Sequence, residues 1–381
     1  MLKLSMGVVC VLSAIGSQAQ SVDPINVVTS AVPFLRISPD ARAGGMGELG
    51  VATSPDANSQ FYNLSKYPFS TGKGAVALTY TPWLKDLGLN DVYLTTLAGY
   101  YKLDELQTIS GSLRYFSLGN IQFTDNLGND LNSFRPREFA IDAGYARKLS
   151  DKLSLGVALR YINSNLAGGA AVNGVSYKAG QAVAGDVGLY YTTMNEQETG
   201  WNFGLALTNL GSKIGYTDDA TQKDFIPANL GLGAVYTKTF NEVNKISFGV
   251  DVMKLMVPTP PNLGDSAGLA EYRSQGVVSS WFTSFADAPG GFSEELQEFY
   301  FAFGGEYWYN NQFAFRAGYF YENQNKGNRQ YFTMGAGIKY NIFGLNFSYL
   351  IPSGSGVNRN PLSNTIRFSL IFDFDGAGGD E

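Results

Sequence analysis

From Gly74 onward the chain alternates: about fourteen stretches of roughly ten residues in which apolar and polar or small residues take turns. The last stretch is the clearest, with Ile366, Phe368, Leu370, Phe372 and Phe374 on one parity and Arg367, Ser369 and Asp373 on the other. Successive side chains of a strand point to opposite faces, so such a stretch has a greasy face and a wet face. Closed on itself, a sheet of these strands has lipid outside and a polar interior. The pattern predicts an all-β membrane protein, an antiparallel transmembrane β-barrel of about 14 strands. A soluble all-β protein is the competing fold, but alternation this regular usually breaks down in a sandwich core.

The candidate strands run 74–82, 91–102, 105–118, 134–148, 150–162, 182–195, 199–211, 226–240, 243–254, 298–310, 311–322, 329–341, 342–352 and 362–374. Their connections alternate in length. Leu103-Asp104, Leu149, Glu196–Glu198, Asn241-Glu242, Asn310-Asn311 and Asn341-Ile342 are tight, and the connections between them are medium to very long. Bacterial barrels have short periplasmic turns and longer external loops. An even strand count then puts both termini in the periplasm and every long loop outside. Tyr80, Tyr100, Tyr190, Trp308 and Tyr349, at strand ends, are candidates for interfacial girdles, with plain sheet packing as the alternative for each.

The ends and the composition agree with export. Lys3, the apolar run Val8–Ile15 and the Ser17-Gln18-Ala19 site read as a signal peptide over residues 1–19, too short to span a bilayer as a helix. The only cysteine, Cys10, lies inside it, so the mature chain has no disulfide. A net charge of −6 and a pI of 4.9 argue against a nucleic-acid partner. Mean hydropathy is −0.08, compatible with a barrel, which spreads its apolar residues over every second position.

Two other regions stand apart. Residues 20–73 carry Pro24, Pro33, Pro39, Pro55 and Pro68, which rule out long regular elements, and Asp375–Glu381 form a short acidic tail expected in the periplasm. The external loop 255–297 exceeds the length a structureless connection usually reaches without a function. Leu269, Tyr272, Val277, Trp281 and Phe285 recur at three- to five-residue intervals, approximating one face of a helix, and Phe282 and Phe292 add apolar surface. These seven residues either fold over the mouth as a lid or form a docking surface for another protein.

Catalytic parts are scarce. The chain has no histidine, hence no Ser-His-Asp triad and no histidine-ligated metal, and its lone cysteine leaves with the signal. Gly45-Met46-Gly47-Glu48-Leu49-Gly50 spells G-x-G-x-x-G, but Pro39 before it, Pro55 after it and the missing acid near 65–70 reject a dinucleotide site. Asp218-Asp219 and Glu294-Glu295 read as solvated loop charge, and Asp373, Arg367, Arg160 and Arg316 as paired charge inside the lumen. Asp125–Asp130 lacks the spacing of a calcium loop and reads as a turn. No catalytic residue, cofactor or metal site is expected.

The segment Ser38-Pro39-Asp40-Ala41-Arg42-Ala43-Gly44-Gly45-Met46-Gly47, followed by Ala57-Asn58-Ser59-Gln60-Phe61-Tyr62-Asn63, resembles the PorV family, FadL-like outer-membrane proteins of the type IX secretion system. Where the wider FadL-like group often has Asn-Pro-Ala, this chain has Asn63-Leu64-Ser65, a departure that fits the PorV branch. The resemblance implies that residues 20–73 form a hatch inside the barrel, with Arg42, Gly44, Gly45, Met46, Gly47 and Asn63 in its core. It implies a non-enzymatic carrier that takes cargo, through a C-terminal signal domain, from a large translocon barrel to a surface attachment complex with a sortase-like peptidase. The alternative is a FadL-type channel for hydrophobic small molecules such as long-chain fatty acids.

Overall fold

The structure, a computed structural model, describes residues 27–374 except 86–87, 125–127, 129, 170, 173–174, 220, 262–263 and 352–363. The signal peptide 1–19, the acidic tail 375–381 and most of the Asp125–Asp130 turn lie outside the described residues.

Fourteen strands close into one antiparallel barrel. They are β1 (Gly74–Pro82), β2 (Val92–Lys102), β3 (Gln107–Leu118), β4 (Arg137–Lys148), β5 (Leu153–Asn165), β6 (Gly180–Thr192) and β7 (Gly200–Gly211), then β8 (Asn229–Asn241), β9 (Asn244–Leu255), β10 (Tyr300–Tyr309), β11 (Phe313–Tyr321), β12 (Gln330–Tyr340), β13 (Phe343–Ile351) and β14 (Ile366–Asp373). Each pairs with its neighbours in sequence, and β14 closes on β1 from Ala75↔Asp373 to Tyr80↔Phe368. Closure removes the unpaired edges that a bilayer could not tolerate. Among the described residues no helix is long and apolar enough to cross a membrane.

Side-chain parity matches the alternation along the chain. In β5, Leu155, Val157, Leu159 and Tyr161 face out while Ser154, Ala158, Arg160 and Ile162 are buried inside. In β14, Phe368, Leu370 and Phe372 face out and Arg367 and Ser369 face in. The tight turns lie at one end. Asn310 and Asn311 both adopt left-handed backbone, φ 52° and 51°, the primed-turn geometry whose twist suits a two-residue hairpin. Three small hairpins decorate the long connections at the other end, Ile121–Thr124 with Asp130–Phe134, Ala171–Val172 with Val175–Ser176, and Ile214–Gly215 with Lys223–Asp224.

Residues 27–73 run inside the barrel from the long-loop end to the short-turn end. Val28 packs with Phe225, Leu255 and Val257 at the long-loop mouth, and the Ala31 N–H donates to the Phe225 carbonyl at 2.8 Å. Phe34 stacks on Phe116 of β3. The chain then makes the one-turn helix α1 (Ala41–Gly44), started by Asp40, whose carboxylate accepts from the Arg42 and Ala43 N–H groups. It ends in 3-10 turns over Ser59–Phe61 and Leu64–Phe69, where Tyr67 stacks on Tyr100. The parity of the loops locates the start of β1 and the end of β14 at the short-turn side. It does not locate the start of the luminal segment, whose first described residues stand at the opposite end.

The filled lumen also corrects the aromatic girdles. Tyr80 faces outward, but Tyr100 and Tyr190 are buried inside against Tyr67 and Phe69. Trp308 shares the inward parity of Glu306 and stacks under the Arg316 guanidinium at 5.5 Å. An interior segment supplies apolar partners that a water-filled channel would lack.

Candidate functional site

Inside the barrel, glycines permit an approach that larger residues would block. A Cβ on Gly47, at φ +67°, would lie 2.6 Å from the Tyr319 backbone nitrogen, and one on Gly45 would lie 3.0 Å from the Gly335 Cα. The Gly-rich segment therefore serves backbone contact with β11 and β12 rather than phosphate binding. Met46 is buried between these glycines and packs in a cluster with Leu49, Phe320 and Tyr331. Gly44 lies against Arg367 and Ser348.

Charged groups hold the segment in place. Arg42 donates from Nε and Nη2 to both oxygens of Glu306, at 2.9 and 2.7 Å, and from Nη1 to Asp56 at 2.7 Å. Glu306 also accepts from Arg316 at 2.7 Å. Asp251 of β9 accepts from the Gly50 and Val51 N–H groups at 2.7 and 2.8 Å. Asn63 Nδ2 donates to the Val51 carbonyl at 3.1 Å and to the Leu189 carbonyl of β6 at 2.9 Å, while its Oδ1 accepts from the Ser65 N–H. Arg160 lies in the lumen paired with Asp142 and Asp186. Asp373, at the short-turn rim, pairs with Lys339.

The loop after β9 folds into α2 (Ser266–Ser274), α3 (Val277–Thr283) and α4 (Phe292–Glu295) at the mouth. Asp265 caps α2 by accepting from the Gly268 N–H at 2.8 Å. Lys213 donates to the Arg273 and Gln275 carbonyls at its other end, both at 2.7 Å, the favourable place for a cation on a helix. The seven apolar residues picked out along this loop do not share one face. Tyr272 meets Phe225 edge-on at 5.2 Å, Val277 packs with it against Val28 and Leu255, and Phe285 lies under Lys254. Trp281 is half-buried. Leu269, Phe282 and Phe292 point away, and Val278 and Leu296, missed in the sequence, join them. Phe282 is 75% exposed, Phe292 77%, Val278 61% and Leu296 53%, so the outer face of the cap is apolar. The helical spacing continues across Gly276, but the backbone turns there between α2 and α3, and that break splits the face.

Beneath the cap lies a second charged cluster that the sequence did not reveal. Lys254 of β9 reaches Glu295 at 2.7 Å and also Glu298, while Lys326 reaches Glu294 at 2.6 Å and Glu298 at 3.0 Å. The Asp287 carboxylate accepts from the Thr259 N–H at 3.0 Å. Asp287, Glu295 and Glu298 lie close enough to share a cation, but Lys254 and Lys326 already supply that positive charge. Burial, helped by Glu298 and Glu295, pushes the Asp287 carboxyl above its ordinary range. Burial acts the same way on Glu294, yet Lys326 and the Gly290 N–H hold it below its ordinary range. The sequence reading of Glu294-Glu295 as solvated loop charge is corrected here: Glu295 is buried, and both are paired with lysines that lie far from them in sequence.

Comparison with known proteins agrees with this architecture. The Ralstonia pickettii toluene transporter TbuX has a similar fold, with a TM-score of 0.54 and 13% identity over 88% of this chain and 98% of that one. The monoaromatic hydrocarbon channel CymD (TM-score 0.49, 13% identity, 88% and 97% covered) and a Pseudomonas aeruginosa FadL homologue (0.48, 11%, 88% and 98%) are also similar. At such identity the likeness to TbuX shows the fold alone, a closed barrel of the same kind. No curated protein sequence matches the chain. The family model for type IX secretion system protein PorV matches residues 19–262, well over half of the chain. The chain is therefore an outer-membrane β-barrel protein that belongs to the PorV family of type IX secretion system proteins.

Proposed function

We propose that this protein is a non-enzymatic carrier of type IX secretion. It binds exported cargo through the cargo's C-terminal signal domain at the long-loop face and moves it from a large translocon barrel to a sortase-like attachment complex. The observation that carries the reading is the outer face of the cap. Phe282, Phe292, Val278 and Leu296 stay in solvent although the same loop partly buries Tyr272 and Val277 a few residues away. Exposed apolar clusters of this kind mark sites where another protein docks, and aromatic anchors dominate such contacts. The lumen behind it is occupied by residues 27–73, held by buried ion pairs.

The reading is tested by recovering the tagged protein from native outer membranes after crosslinking. Exported proteins and a much larger barrel should come with it. Recovery of neither, together with lost uptake of long-chain fatty acids in a deletion strain, would replace the carrier with a hydrophobic-solute channel.

A further inference from the structure

The two ends of the cap are held by different means. At the α4 end, Lys254 and Lys326 grip Glu294, Glu295 and Glu298 in largely buried ion pairs. The α2 and α3 end has no such clamp. α2 has no fully buried residue, and α3 has only Ser280. Arg273 reaches Asp224 at 3.5 Å, and Lys213 holds the end of α2 through two carbonyls. The remaining hold is one apolar cluster, in which Tyr272 and Val277 of the cap pack with Phe225, Leu255, Val257 and Val28. Val28 is the only member of that cluster from the luminal segment. Phe225 is its hub: the carbonyl accepts from the Ala31 N–H at 2.8 Å, and the ring meets Tyr272 at 5.2 Å and Lys213 at 4.0 Å.

The luminal segment changes character at Val32. This residue is buried with left-handed backbone, φ 47° and ψ 51°, an outlying conformation for a β-branched side chain that persists only where the surroundings impose it. Before it, Thr29 is exposed and the buried Ser30 Oγ has no hydrogen-bond partner. Among the described residues, the Ala31 N–H makes the one hydrogen bond that ties 27–31 to the barrel. After it, the anchoring is dense. Phe34 stacks on Phe116, the Leu35 carbonyl accepts from Arg114 at 2.8 Å, and the Pro39 carbonyl accepts from Thr96 at 3.0 Å, ahead of the Arg42 network.

We propose that residues 27–31 are a strap that latches the cap over the mouth. The strap is hinged at Val32, and it opens together with α2 and α3 while residues 33–69 stay in place. Val28 is the latch, because it alone carries the luminal segment into the cluster under the cap. Strain at Val32 favours release, and the contacts around Phe225 oppose it. Whatever lifts α2 and α3 thereby loosens the front of the luminal segment without breaking the ion pairs behind it. The latch lies on the inner side of the cap and works without a partner, so it stands or falls separately from the carrier reading.

The test is amide hydrogen exchange of the purified full-length chain in detergent micelles, read by mass spectrometry over three regions: 27–37, 40–69 and 266–283. Val28→Ser removes a buried apolar contact and should speed exchange in 266–283 by about tenfold or more, leaving 40–69 unchanged. Coupling between two parts is reciprocal, so Tyr272→Ala in the cap should speed exchange in 27–37. Phe282→Ser, on the outer face, should alter neither the strap nor the cap. Should Val28→Ser fail to fold, Val28→Ala carries the same test with a smaller shift. Unchanged exchange in 266–283 when Val28 is substituted would overturn the latch. A rise in 40–69 equal to that in 27–37 would overturn the hinge, because the luminal segment would then move as one body. A response of 27–37 to Phe282→Ser as large as that to Tyr272→Ala would overturn the specific contact.

Discussion

The luminal segment and the external cap fill the same barrel from opposite chemical premises. The luminal segment buries its charges: Arg42 is 7% exposed and bound on two sides by Glu306 and Asp56. The cap also buries charge, in the cluster of Lys254, Lys326, Glu295 and Glu298 at its base, but it leaves large apolar side chains in solvent at its top. Buried ion pairs add little net stability over an apolar core, yet breaking one by removing a partner is costly. Such pairs therefore specify one arrangement and resist its partial release. Exposed aromatics do the reverse, costing solubility until something covers them. On the proposed function, the contrast separates a part built to stay in place from a part built to be covered.

The strongest way to break this comparison is at Arg42. Arg42→Ala leaves Glu306 and Asp56 short of a partner inside the barrel and should cost about 3–5 kcal/mol, read as a fall in the melting temperature of the detergent-solubilised protein. A change within experimental error would mean that the luminal segment is not held by this network. Next comes the cap. Phe282→Ser combined with Phe292→Ser should remove about 2–4 kcal/mol of partner binding while shifting stability by no more than about 0.5 kcal/mol. A stability loss equal to that of Arg42→Ala would recast the cap as core.

A smaller effect is expected at Gly47. Gly47→Ala puts a methyl group against the Tyr319 backbone at a positive φ and should cost about 1–3 kcal/mol, with faster proteolysis of the luminal segment as the readout. The smallest effect sharpens the base of the cap. Because the folded state raises the Asp287 titration above its ordinary value of 3.8, its ionisation opposes folding at neutral pH. That cost is relieved as pH falls through the raised titration, so protease protection of the cap should increase slightly in mild acid. It should decline again as the pH falls further and Glu294, whose titration is lowered, takes up a proton and its ion pair with Lys326 is lost. Asp287→Asn should abolish the initial rise.

The wall was legible because its period is two residues and its pairing partners are neighbours in sequence. Leu155, Leu159 and Phe368 announce their faces from their immediate surroundings alone. Inward charges at Arg160, Arg316 and Arg367 were legible for the same reason, but their partners were not. Arg42 and Glu306 lie 264 residues apart, and no local pattern couples them. Tyr100, Tyr190 and Trp308 stayed open between girdle and packing in the sequence because strand-end aromatics serve a lipid interface and a packed lumen equally well; the luminal segment decides for packing. In the cap, the apolar spacing revealed that helices exist, while the turn at Gly276 decided which residues stay outside.

The most direct measurement of the central claim places a photo-crosslinking amino acid at three positions of the cap in intact cells: Phe282, Phe292 and, as the inward control, Phe285. The account predicts adducts with exported proteins or the large translocon barrel from positions 282 and 292, and none from 285. Equal yields from all three, or adducts from 285 alone, would contradict a docking face on the outside of the cap.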